Sequence, residues 1–170
     1  MSSDITLILG GARSGKSRFA EDFVIKHGAS QIYLATAEAY DSEMQSRIKQ
    51  HRRDRGDRWT TIEESLSLAE ALKIHSQATN IILVDCLTLW LSNLMGHDLS
   101  IETEIDKLIT VLSELPGPVV LVSNEVGQGI VPDNALARAF RDHAGRLHQR
   151  LAEIAEEVYF ITAGLPQKLK

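Results

Sequence analysis

Two short stretches of the sequence carry residues whose types and spacing suit chemistry. Gly10-Gly11-Ala12-Arg13-Ser14-Gly15-Lys16-Ser17 fits G-x-x-x-x-G-K-[ST] at every fixed position, after an apolar run and before a helical one. Glycines there let successive backbone N–H groups converge on phosphate oxygens, and the following helix adds its positive dipole end. Lys16 is expected to reach the β- and γ-phosphates and the Ser17 hydroxyl to ligate Mg²⁺. Asp85, which closes the apolar run IILVD, supplies the carboxylate that usually completes the Mg²⁺ shell. These residues together predict a nucleoside triphosphate held with Mg²⁺. On their own they leave kinase, transferase, switch and motor open.

The second stretch is IKQHRRDRGDRW, residues 48–59. Arg47, Lys49, Arg52, Arg53, Arg55 and Arg58 surround His51, with Asp54 and Asp57, in a chain of net charge −5. Met44, Ile48 and His51 recur at helical spacing, which suits a histidine packed into an apolar stripe. The alternative is chemical. Neighbouring cations disfavour the imidazolium form, so the ring stays neutral and nucleophilic near pH 7. The same cations can hold triphosphate oxygens and neutralise charge developing at phosphorus. Attack of the imidazole on an α-phosphate would displace pyrophosphate and leave a phosphoramidate able to pass its nucleotidyl group onward. The spacing alone decides between neither.

The length of 170 residues suits one domain, 1–170. The acidic balance argues against general nucleic-acid binding, although the basic run alone suits a compact polyanion. Cys86 is the only cysteine, so neither an internal disulfide nor a Cys-rich zinc site can form. MSSDITLIL lacks the basic start of a signal peptide, and residues 81–95 are short for a membrane span and include Asp85. A cytoplasmic protein is the expectation.

Positioning these residues requires strands at 4–10, 31–36, 59–64, 80–85, 119–123 and 157–162. Helices are predicted after the glycine-rich turn, over 41–54 behind a Ser42/Gln45 capping box, and over 66–75. Further helices are predicted after Asp85, over 100–115 and over 133–157. Ile105, Leu108, Ile109 and Leu112 share one face of the penultimate helix. The short tail has room to return as an antiparallel edge strand. Apolar strands alternating with helices predict an α/β fold, a mostly parallel sheet covered on both faces.

With these features placed, the sequence resembles the bifunctional adenosylcobinamide kinase / adenosylcobinamide-phosphate guanylyltransferase family of cobalamin biosynthesis. The resemblance runs through GGARSGKS, IYLATAEAYDSEMQSRIKQHRRDR, IILVDCLT and SNEVGQGIVPDNALARAFRDHAGRLHQRLA. It implies a P-loop NTPase with a RecA-like core. It also implies phosphorylation of the aminopropanol hydroxyl of adenosylcobinamide, with ATP or GTP as co-substrate. GMP then passes from GTP to the new phosphate through a guanylylated histidine, which matches His51. Implied GTP contacts are Gly10 through Ser17 (Gly10, Gly11, Ala12, Arg13, Ser14, Gly15, Lys16, Ser17), Ala35, Thr36, Ala37, Arg52, Arg53, Asp54, Arg55, Glu63 and Asp85. A homotrimer is also implied.

The sequence departs from that pattern in two places. Gln50 stands where some relatives carry a second histidine. His148 stands where the family often has Asn, and is given no role. EVGQGIVP either lines the corrinoid or nucleotide pocket or is a structural turn. A plain small-molecule kinase without covalent nucleotide is the runner-up. A nucleotide-dependent switch or oligomeric ATPase is a third reading, although no Asn-Lys-x-Asp guanine motif is present.

Overall fold

The computed structural model describes residues 4–38 and 42–170, except the side chains of Glu43, Met44, Arg47, His51, Arg52 and Asp54. In chain order the elements are β1 (Ile5–Gly10), α1 (Lys16–His27), β2 (Ser30–Ala35), α2 (Ser42–Arg55), β3 (Trp59–Glu63), α3 (Leu68–His75) and β4 (Asn80–Asp85). They continue with α4 (Leu87–Gly96), α5 (Ile101–Leu112), β5 (Val119–Asn124), α6 (Ala135–Ile154), β6 (Glu157–Thr162) and β7 (Leu165–Lys168). The strands form one sheet in the order β3-β2-β4-β5-β1-β6-β7. Every pairing is parallel except β6 with β7, so the tail does return as an antiparallel edge.

The central strands are apolar on both faces because helices cover both. Leu7, Leu9, Ile82, Val84, Val119 and Leu121 pack with α3 to α6 around the fully buried Trp90. Their alternates Ile8, Ile81, Leu83, Val120 and Val122 face Ala20 and Val24 of α1. Each such side chain contributes roughly 1.5–3 kcal/mol by leaving water. Trp90 also donates its indole N–H to the Leu66 carbonyl at 2.8 Å, so its one polar atom is satisfied.

Element ends depart from the sequence expectation where local hydrogen bonds intervene. The third helix begins at Leu68 rather than Leu66, because the Glu64 carboxylate holds the backbone N–H groups of Leu66 and Ser67 in a turn. The last helix covers Ala135–Ile154, not 133–157. Asn134 caps it by accepting from the Ala137 N–H at 2.7 Å, and Ala155 turns extended so that Glu157 can join β1. On α5, Ile101, Ile105, Leu108 and Leu112 are buried, with Ile109 at the margin. Of the second helix's expected bounds, Asp41 lies outside the described residues.

Candidate active site

The glycine-rich loop joins β1 to α1 at the C-terminal edge of the sheet. Gly10 must lack a side chain, since a Cβ there would lie 2.8 Å from the Ile161 carbonyl oxygen. Gly15 has φ 92° and lies against the β6–β7 turn, whose Gly164 N–H donates to the Ser14 carbonyl at 2.7 Å. That bond turns the Ser14 carbonyl away from the loop interior. Arg13 also takes a left-handed φ of 55°. Lys16 is buried and donates to the Gly11 carbonyl at 3.2 Å, so its ammonium rests across the mouth of the loop. The Ser14 hydroxyl is buried with no hydrogen-bond partner among the described residues, as expected of a cradle shaped for a polar ligand.

Across the sheet from the loop, Glu63, Ala35 and Asp85 fall in register at the ends of β3, β2 and β4, which lie four, three and two places from β1. Glu63 is exposed. Thr36, fully buried, ties β2 to the start of α4. Its hydroxyl accepts from the Cys86 N–H at 2.9 Å and donates to the Cys86 carbonyl at 2.7 Å. Asn93 of α4 donates to the carbonyls of Thr36 (2.7 Å) and Ser65 (3.1 Å). Asn93→Leu leaves the buried Thr36 carbonyl and the partly buried Ser65 carbonyl without this donor and should cost about 1–3 kcal/mol of stability, measurable by urea unfolding. A loss below about 0.5 kcal/mol would show the pin to be dispensable.

A cavity of about 300 Å³ opens between these elements, lined by Ser17, Tyr33, Ala35, Ala37, Ile48, Arg55, Asp85, Cys86, Leu89 and Asn124. Arg55 of α2 lies flat on Tyr33, its guanidinium carbon 3.4 Å from the ring centroid. The Tyr33 hydroxyl lies near the Asp85 carboxylate. Burial, then the Asp85 charge, pushes its pKa far above the tyrosine range, and Arg55 only partly opposes this. Burial, with Asp85, likewise raises the Cys86 thiol, so the sole cysteine stays protonated and unsuited to nucleophilic attack.

The structure therefore brings Ser17, Ala35, Ala37, Arg55 and Asp85 of the expected contacts around one space. Arg53 is exposed and lines a different groove with Lys49 and Trp59. His51, Arg52 and Asp54 belong to α2, but their side chains lie outside the described part of the structure. Sequence reasoning missed Tyr33 and Asn124. Tyr33 reads as an ordinary strand aromatic. Asn124 is one residue past the apolar run of β5, and only that position hinted at it.

His148 is a further polar residue in this region. It is buried on α6, and its Nε2 lies 2.7 Å from the Ser123 hydroxyl at the end of β5. Burial, outweighing the Glu125 carboxylate, lowers its pKa below the usual 6.5. Below about pH 6.5 the unfolded chain therefore binds the more protons, and stability falls as the pH drops through that region. The melting temperature of the wild type should fall more between about pH 7.5 and 5.5 than that of His148→Asn. Parallel falls in the two proteins would contradict a neutral, buried ring.

A mostly parallel sheet with this loop between a central strand and its first helix defines a P-loop nucleotide-binding fold of the RecA-like kind. Solved structures agree. The flagellar accessory protein FlaH from Methanocaldococcus jannaschii superposes with a TM-score of 0.58 at 11% identity, over 99% of this chain and 79% of that one. The RadB recombinase gives 0.50 at 14% identity, over 94% and 74%.

Within that class, the chain belongs to the cobinamide kinase / cobinamide phosphate guanyltransferase family, whose model matches residues 6–169. It is 51% identical to the bifunctional adenosylcobalamin biosynthesis protein CobP of Pseudomonas aeruginosa, over 96% of each chain. The proteins named CobU from Escherichia coli and Salmonella typhimurium are 39% and 40% identical, over 96% of this chain and 98% of theirs.

Proposed function

We propose that this chain, as a single domain over residues 1–170, phosphorylates adenosylcobinamide from ATP or GTP and then transfers GMP from GTP to the new phosphate. The product is adenosylcobinamide-GDP, and the guanylyl group is carried on His51. Family membership and the near full-length match to bifunctional relatives support the two activities.

The observation that carries the histidine step is the lining of the cavity. Ile48 and Arg55, three residues before position 51 and four after it on α2, share that space with Ser17 and Asp85. The helix bearing the nucleophile thus borders the compartment where triphosphate and metal belong. Gly10 through Ser17 cradle the phosphates, with Arg13 and Lys16 adding charge. Ala35, Thr36, Ala37 and Glu63 border the nucleoside side, and Arg52, Arg53, Asp54 and Arg55 complete the contacts.

Mg²⁺ fits Ser17 and Asp85, a hydroxyl and a carboxylate lining one cavity, and it usually binds through few protein oxygens plus phosphates. When bound it neutralises charge on the phosphate oxygens. Among the described residues no helix is long and apolar enough to cross a membrane, and we place the enzyme in the cytoplasm as a homotrimer.

The test is covalent labelling. Incubation with GTP labelled in the α-phosphate should leave acid-labile GMP on the protein, and a chase with adenosylcobinamide phosphate should remove it into product. Transfer of γ-phosphate with no bound label would favour a plain kinase instead.

A further inference from the structure

We propose that the Glu125 carboxylate takes the proton from the acceptor hydroxyl during γ-phosphoryl transfer, with His148 as its positioning residue. This rests on the kinase half of the proposed function, and it adds residues that the phosphate loop and α2 do not supply.

Strand order gives the first argument. β5 lies between β1, which ends in the phosphate loop, and β4, which ends in Asp85. Gly10 pairs with Asn124 across the β1–β5 ladder, and the Glu125 N–H donates to the Gly10 carbonyl at 2.9 Å. Glu125 therefore stands on the rim of the loop, one residue past the strand between the loop and the carboxylate assigned to the metal.

Other carboxylates at this edge of the sheet are committed or remote. Asp85 lines the cavity with Ser17 and is assigned to Mg²⁺. Glu63 ends β3, four places from β1 in the sheet order. Glu38 pairs with His97, and Glu64 holds the turn before α3.

The surroundings of Glu125 suit a base. One carboxylate oxygen accepts the Gly127 N–H, which fixes its direction. The other lies 3.8 Å from His148 Nδ1, and no Lys or Arg pairs with Glu125 among the described residues. His148 Nδ1 is buried with no hydrogen-bond partner among those residues. A carboxylate only accepts, so the tautomer that suits this pair carries its proton on Nδ1 and takes the Ser123 hydroxyl proton at Nε2. Ser123 itself is buried, which removes it as a nucleophile. The Gly127 N–H orients the carboxylate, and the imidazole at 3.8 Å is placed to hold its second oxygen once Nδ1 turns its proton toward it. The loop that follows exposes the apolar side chains of Val126, Ile130 and Val131.

In the step itself the hydroxyl oxygen bonds to the γ-phosphorus as its proton passes to Glu125. The bond from that phosphorus to the β-bridging oxygen breaks, and the nucleoside diphosphate departs with the electron pair.

The experiment compares the two half-reactions of the full-length protein. With γ-labelled nucleotide and adenosylcobinamide, Glu125→Gln should lower kcat for phosphorylation by about 10²–10⁴-fold, with the nucleotide KM little changed. Labelling from α-labelled GTP should persist. Glutamine still accepts the Gly127 N–H, so the loop keeps its shape. Phosphorylation above about a tenth of wild type in Glu125→Gln overturns the proposal while leaving the function intact. A wild type that phosphorylates no acceptor overturns the function, and the proposal with it.

For His148, the leucine variant should lose kcat and His148→Asn should recover most of it. The amide offers an N–H toward Glu125 and an oxygen toward Ser123. Equal kcat values in the two variants, whether low or high, refute the positioning role. A melting curve taken alongside separates loss of fold from loss of rate.

Discussion

His51→Ala should abolish GMP transfer to adenosylcobinamide phosphate, by on the order of 10⁴-fold or more, the scale seen when a covalent nucleophile is removed. The same variant should retain no α-label. The argument is chemical: arginines around the α-phosphate can stabilise charge, but none of them can form and then break a bond to phosphorus. Phosphorylation of adenosylcobinamide, which needs γ-phosphate and no protein nucleophile, should survive within about tenfold. The measurement is paired: label retained on the protein, and each product separated by chromatography. Undiminished labelling of His51→Ala would place the intermediate elsewhere. Loss of both activities together would mean that position 51 shapes the shared cavity rather than the transfer alone.

Lys16→Ala should depress both half-reactions by about 10²–10³-fold, because one ammonium at the loop mouth serves every phosphate that enters it. In the free protein that ammonium is buried against the Gly11 carbonyl, a single bond worth about 1 kcal/mol. Truncation should therefore change the melting temperature of the unliganded protein by only a few degrees. Stabilisation by GTP should shrink markedly, since a weaker Kd gives less linkage at the same ligand concentration. A variant with full activity and full GTP stabilisation would remove Lys16 from the site.

Strand positions and the phosphate loop were legible in the sequence because each rests on local chemistry. A run such as IILVD admits few alternatives once Gly10-x₄-Gly15-Lys16-Ser17 precedes it, and buried β4 bears this out. Boundaries were less legible where a side chain several residues away decides them, as Glu64 does for α3 and Asn134 for α6. The β7 edge was weakly signalled because all four of its residues are exposed, so no apolar alternation marks it.

In the site, residues adjacent in sequence to the motifs were found. Those joined only by the sheet were not. Tyr33 meets Arg55 and Asp85 because β2 lies beside β4 and the last residue of α2 reaches the Tyr33 ring, a proximity that no spacing records. Ser123 and His148 are 25 residues apart and meet across the strand–helix interface.

The position of β1 also bears on the birth of the chain. This strand is made well before its two neighbours, β5 and β6, which begin only at Val119 and Glu157, and the turn that braces the loop includes Gly164. During most of its synthesis the emerging polypeptide holds the glycine segment unflanked, with nothing to fix its curvature. Products of translation interrupted before Gly164 should thus be blind to nucleotide, and the capacity to bind it arrives only once β5, β6 and the bracing turn exist.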